Sequence, residues 1–160
     1  MQVYLTMVLD LSMKGKEIVI MPKHIHSILE TTSTDMDGLT DTPYPNHLFQ
    51  VQEDGRDMST QQYYLYYMRL EKIIFERYHS KSNLNMAIAL LTNRVKHPNM
   101  NDYKKLEQCV RCIRDTMEMP LMLEASKEIV MRWWINSEYG VHPDMKSHTG
   151  WMMSLGKGSM

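Results

Sequence analysis

The chain has 160 residues, enough for one ordinary domain, and its 43% apolar and 23% charged residues are those of a folded globular protein. Eighteen basic residues against nineteen acidic ones leave a net charge of −1, which excludes a strongly cationic nucleic-acid clamp and an acidic tail protein alike. No apolar run approaches the ~18 residues of a membrane span and no basic leader opens the chain, so an intracellular protein without a membrane partner is expected.

Val3, Leu5, Met7, Leu9 and Leu11 alternate with polar neighbours, the period of a half-buried strand. Gly15 supplies a turn, and residues 17–21 return as a β-branched strand, giving an N-terminal β-hairpin. Pro22 then opens a short helix with Ile25, Ile28 and Leu29 on one stripe. Residues 31–58, rich in Thr, Ser, Asp, Gly and Pro, read as a long surface connection. Ser59 and Thr60 cap a helix to about Ser80, with Tyr63, Tyr67, Leu70, Ile74 and Tyr78 lining one face. A second helix is expected over 83–96, closed by His97-Pro98. A third starts from an Asp102 cap and aligns Tyr103, Leu106, Val110, Ile113 and Met117. Strands are expected at 121–123, 129–135 and 149–155, with a turn over 140–147. Such an ending leaves a sheet edge that is either covered by a partner or marks a domain cut short. Seventeen methionines against two phenylalanines imply a loosely specified core.

Little in the chain has the spacing of a catalytic or metal motif. Cys109-Val110-Arg111-Cys112 lies mid-helix without a second pair, so two small, half-buried core residues are the better reading. His24 and His26 point to different sides of a helix, and His142 and His148 lack a partner at zinc spacing. Asp35-Met36-Asp37-Gly38 places its glycine too early for a calcium loop. Gly156-Lys157-Gly158-Ser159 has neither the spacing nor the following helix of a phosphate loop and reads as a glycine-rich strand end. Arg94, Lys96, His97, Lys104 and Lys105 surround the joint between the second and third helices, a cluster that either contacts phosphates or is a solvated helix junction. The tyrosine run Tyr63-Tyr64-x-Tyr66-Tyr67 offers base-stacking rings, although helical spacing assigns at least half of them to a core face.

Several stretches, in order and over nearly the whole chain, resemble the Pol polyprotein of Ty1/copia-type retrotransposons. They are Pro22-Lys23-His24-Ile25-His26-Ser27-Ile28-Leu29-Glu30, Asn46-His47-Leu48-Phe49, Thr92-Asn93-Arg94-Val95-Lys96-His97-Pro98 and Asp102-Tyr103-Lys104-Lys105-Leu106. Ile113-Arg114-Asp115-Thr116 and the stretch from His142-Pro143-Asp144 through Met145-Lys146-Ser147 to His148-Thr149-Gly150 complete the series. The resemblance implies an α+β chain in four segments. Residues 1–31 end a reverse transcriptase palm, 32–58 form a polar linker, 59–119 form a three-helix thumb or connection, and 120–160 open an incomplete RNase H hairpin.

It also implies roles. Tyr4-Leu5-Thr6-Met7 stands for a primer-grip motif in which Thr6 replaces Gly, and its added side chain would hold off a primer phosphate. Arg94, Lys96, Lys104 and Lys105 would grip a template-primer duplex. Mg²⁺ serves the intact family, whose polymerase aspartates lie upstream of the first strand, and no cofactor is expected in this chain. Asn136 stands where the first RNase H aspartate belongs, and an amide lends a metal no negative charge; Glu138 is a carboxylate displaced by two residues. The expected function is therefore weak binding of an RNA/DNA or DNA duplex without catalysis. The alternatives are a repurposed protein-interaction module whose partner covers the C-terminal strand edge, and a clipped gene model of an active RNA-directed DNA polymerase polyprotein.

Overall fold

The computed structural model describes residues 1–32, 37–52, 54–128, 130–140 and 145–159. The fold is α+β. Contacts divide the chain into two units, one made of residues 1–20 with 120–160, the other of 21–119. The expected boundary before Pro120 coincides with a unit boundary, whereas the expected 1–31 segment divides after Ile20.

The first unit is built on a five-stranded antiparallel sheet. β1 (Gln2–Tyr4), β2 (Met7–Asp10) and β3 (Lys16–Ile20) follow one another, and β4 (Leu121–Ala125) pairs beside β3 despite the hundred-odd residues between them. Residues 3–11 are thus not one strand but a hairpin, with Tyr4 opposite Met7 across a two-residue turn. A turn of two residues leaves the period-two alternation intact, so hydrophobicity alone does not reveal it. β3 and β4 set Val19 against Leu121 and Lys16 against Glu124, whose side chains form an ion pair at 3.5 Å. The edge strand β7 (Gly156–Lys157) adds Lys157 on the other side of Glu124 at 3.7 Å. A side chain at Gly156 would collide with the Glu124 carbonyl, so the glycine-rich end is what lets β7 close on β4. β5 (Arg132–Glu138) and β6 (His148–Ser154) form a separate two-stranded sheet; β5 starts three residues later than the alternation implies. Ile129, residues 141–144, and with them His142 and half of the expected turn, lie outside the described residues, as does the Asp35-Met36 part of the calcium-loop reading.

The second unit is helical. α1 (Pro22–Leu29) starts on Pro22 as expected, and α2 (Thr60–His79) starts on a capping box in which Ser59 and Gln62 satisfy each other's backbone N–H. A 3-10 turn at Ser82–Leu84 leads into α3 (Asn85–Asn93), shorter than the expected 83–96. The N-cap of α4 (Met100–Asp115) is Asn99, not Asp102, which sits at N3 and completes the box. The helices close on Ile25, Ile28, Tyr66, Leu70, Ile73, Leu91, Leu106, Val110 and Ile113, and α1 joins the three that were expected to form the bundle. The buried face of α2 is Tyr66, Arg69, Leu70, Ile73 and Glu76, rotated from the expected stripe, because two of its members are charged and invisible to a hydrophobic period. Arg69 is retained there by donating to the Thr31 carbonyl at the end of α1 and to the Tyr103 hydroxyl at 3.1 Å.

Residues 37–52, part of the expected long surface connection, are docked on the helical unit. They run antiparallel along α4 as a strap. Thr40 N–H donates to Asp115 at 2.7 Å, Cys112 and Cys109 donate to the Asp41 and Pro43 carbonyls, and Asn99 Nδ2 donates to the Gln52 carbonyl at 2.7 Å. Leu48 and Met58 are buried in the core, with Tyr44 and Phe49 packed against it.

Candidate nucleic-acid interface

The joint between α3 and α4 is held from three directions. His97 N–H donates to the Arg94 carbonyl at 3.1 Å, which shapes the turn after α3. Asp102 is buried and accepts from the Asn99 N–H at 3.1 Å and from Arg94 Nε at 3.2 Å, so cap and cation share one carboxylate oxygen. Three tyrosines of α2 reach across to the same segment. Tyr66 donates to the Leu91 carbonyl at 3.1 Å, Tyr67 to Val95 at 2.6 Å and Tyr63 to Pro98 at 3.2 Å. Burial pushes the Tyr66 phenol well above its ordinary pKa, so it stays a donor at every relevant pH.

This assigns the tyrosine run. Tyr66 is core, and Tyr63 and Tyr67 tie down the joint through their hydroxyls; Tyr64, 63% exposed, and Tyr67, 43% exposed, still show ring surface to solvent. Periodicity placed at least half of these rings inward but carried no sign of the three hydroxyl-to-carbonyl bonds, which depend on which carbonyls α3 leaves unsatisfied at its end.

The basic cluster divides. Lys105 leaves the candidate set: it is buried, and its ammonium donates to the Leu48 and Gln50 carbonyls of the strap, each at 2.7 Å. Burial lowers its pKa, with the Asp102 carboxylate opposing. Arg94 is half-buried and engaged by Asp102. Lys96, His97 and Lys104 are exposed, and among the described residues their side chains enter no ion pair or hydrogen bond. Lys96 and His97, in the turn after α3, and Lys104, in the first turns of α4, make up the exposed rim of the joint.

Tyr4 and Thr6 belong to the other unit, at the tip of the β1–β2 hairpin. Both turn residues have positive φ, 46° at Leu5 and 69° at Thr6, the left-handed pair a two-residue hairpin turn requires. Glycine carries no steric cost there, whereas a β-branched residue costs about 1–2 kcal/mol, so Thr6 is a strained occupant of a glycine position. Tyr4 is 61% exposed beside it.

Asn136 lies on exposed β5 opposite Gly150, and it shares a face with Glu138 and Trp134. Among the described residues no three His, Cys, Asp or Glu side chains are grouped to hold a metal ion. His24 Nε2 and His26 Nδ1 meet the Lys72 and Pro22 carbonyls, at 2.9 and 2.7 Å. Cys109 and Cys112, expected to be half-buried, are fully buried, and burial raises both thiol pKa values, which withholds the thiolates that redox or metal chemistry needs. No helix among the described residues is long and apolar enough to cross a membrane. Compared with protein-family models, curated proteins and solved structures, the chain matches none.

Proposed function

We propose that the chain is a non-catalytic nucleic-acid-binding segment of the Ty1/copia-type Pol kind, whose helical unit contacts the phosphate backbone of a template-primer duplex through the α3–α4 joint. The observation that carries the reading is the exposure, without ion-pair partners among the described residues, of Lys96 and His97 on a turn fixed by Asp102, Tyr63 and Tyr67 and of Lys104 on α4 beside it in sequence. Such groups read charge and spacing rather than bases, so binding is weak and indifferent to sequence. The absence of catalysis follows from Asn136, an amide in the place the resemblance reserves for a metal-binding carboxylate. A net charge of −1 supplies no long-range attraction to a polyanion, so affinity rests on local groups such as these.

Fluorescence anisotropy with a labelled primed duplex and an RNA/DNA hybrid tests it. Two to three phosphate contacts give a salt slope of about −2 to −3 for B-DNA, so affinity drops roughly 10- to 40-fold between about 50 and 200 mM salt. Lys96→Glu with Lys104→Glu abolishes the salt-dependent part, while primer extension and hybrid cleavage with Mg²⁺ stay at background. A salt-independent affinity, or one unmoved by the two substitutions, refutes the assignment, and reproducible extension or cleavage refutes inertness.

A further inference from the structure

β5 is exposed at every one of its seven residues, and its sheet has two strands, so one edge of β5 presents backbone N–H and C=O groups that no strand among the described residues takes up. Edges of this kind are ordinarily blunted by a lysine, a proline or a bulge. β5 has none of them: its pairing with β6 runs unbroken from Arg132 opposite Ser154 to Glu138 opposite His148. Its sequence, Arg-Trp-Trp-Ile-Asn-Ser-Glu, places one charge of each sign at the two ends of an uncharged interior.

That order is complementary to itself. Laid antiparallel against a second β5 with the two-fold at Ile135, Arg132 stands opposite Glu138 at both ends, Trp133 opposite Ser137, Trp134 opposite Asn136, and Ile135 opposite its own copy. Every pair in this register joins residues of the same parity, so peptide groups that point outward on one strand meet those pointing outward on the other. The Ile135–Trp151 pairing within each hairpin extends the match, because one face then carries an unbroken row from Trp151 through two Ile135 side chains to the second Trp151. Trp133 flanks the row, its ring centroid 5.4 Å from that of Trp151.

We infer that β5 is a self-association edge, through which two copies of this chain fuse their hairpins into a four-stranded antiparallel sheet centred on Ile135. A single seven-residue edge covers less than the ~800 Å² per partner of a standard interface, which places the dimer among weak, transient associations. This inference does not depend on the nucleic-acid reading, since Lys96 and Lys104 belong to the other unit.

Sedimentation velocity on the full chain from ~1 to ~200 µM tests it, and the expected result is a dimer fraction that rises across that range. Arg132→Glu opposes two carboxylates at both ends and Glu138→Arg opposes two cations, so each weakens the dimer by about 10-fold. The double variant R132E/E138R restores affinity to within about 3-fold of the unsubstituted chain, as only antiparallel self-pairing in this register allows. Ile135→Cys, whose two copies meet at about 4.5–5.5 Å between Cα atoms, gives an interchain disulfide under mild oxidation. A monomer at all concentrations, a double variant as weak as the single ones, a dimer indifferent to Arg132→Glu (contact through the tryptophan face or another surface), or an uncrosslinked I135C each overturns it.

Discussion

Glu76 is fully buried on α2, within reach of Ser80, which donates to its Oε1, while its Oε2 has no hydrogen-bond partner and lies 4.0 Å from His24 Nε2. Burial raises its pKa above the ordinary carboxylate value, and the Ser80 hydrogen bond and the charges of His24, Lys81 and His79 only partly oppose this. The folded state therefore holds a proton that the unfolded chain has already released, and stability falls as pH rises from the unfolded value of about 4.3 through the raised one. Glu76→Gln keeps an acceptor for Ser80 and removes the ionisation. The variant is expected to melt above the parent at pH 7, with the difference closing below about pH 4, where both side chains are neutral. Equal displacement at both pH values would show that the carboxylate stays ionised and partnered. Neither Glu76 nor Arg69 is legible as a core residue in the sequence, because a hydrophobic period assigns charged residues to the solvent face. Local chemistry was legible: the Pro22 start, the Ser59 cap and the Gly15 turn depend on neighbours two to four residues away.

At the scale of elements, the strap along α4 is the feature composition concealed most. A stretch of Thr, Ser, Asp, Gly and Pro signals irregular backbone, and irregular it is, but several of its carbonyls are satisfied by the α4 N-cap Asn99 and by Lys105, Cys109 and Cys112, spaced four and three apart on α4. The donors sit in the sequence as an ordinary polar helix, and nothing local says that their acceptors lie about 60 residues upstream. Within the basic cluster only Lys105 departs from the expected exposure, for the same reason: Lys104 and Lys105 are adjacent in sequence, yet one lies in solvent and the other is bonded to the strap. Lys105→Met retains the aliphatic stem but orphans the Leu48 and Gln50 carbonyls. It is expected to cost about 2–3 kcal/mol in chemical denaturation, with faster amide exchange confined first to residues 40–56. Duplex affinity should change by less than about 2-fold while the strap remains docked. A Lys105→Met protein with full stability and a large loss of duplex affinity would return Lys105 to the binding rim.

For the molecule as a whole, the division into two units predicts how it comes apart. All three tryptophans, Trp133, Trp134 and Trp151, lie in the unit of strands, and the described α-helices, α1 to α4, lie in the other. Tryptophan emission and helical circular dichroism thus report on different units of one chain. The strand unit has about 60 residues, a size at which a hydrophobic core is marginal, and it leaves Trp133, Trp134, Ile135 and Trp151 open to solvent. The helical unit encloses a continuous core from Ile25 to Ile113, braced by Arg69, Lys105 and the strap. Two capping boxes further fix its longest helices. Differing stabilities are the consequence, and a two-state description fails. On heating at low micromolar concentration, the tryptophan signal is expected to change first, at least about 5 °C below the loss of helical signal. Raising the protein concentration narrows the gap from the tryptophan side alone if β5 pairs with a second copy, because binding to the folded form lifts the apparent stability of the unit that carries it. Superimposable curves at every concentration would mean that the strands and the helices unfold as one cooperative body.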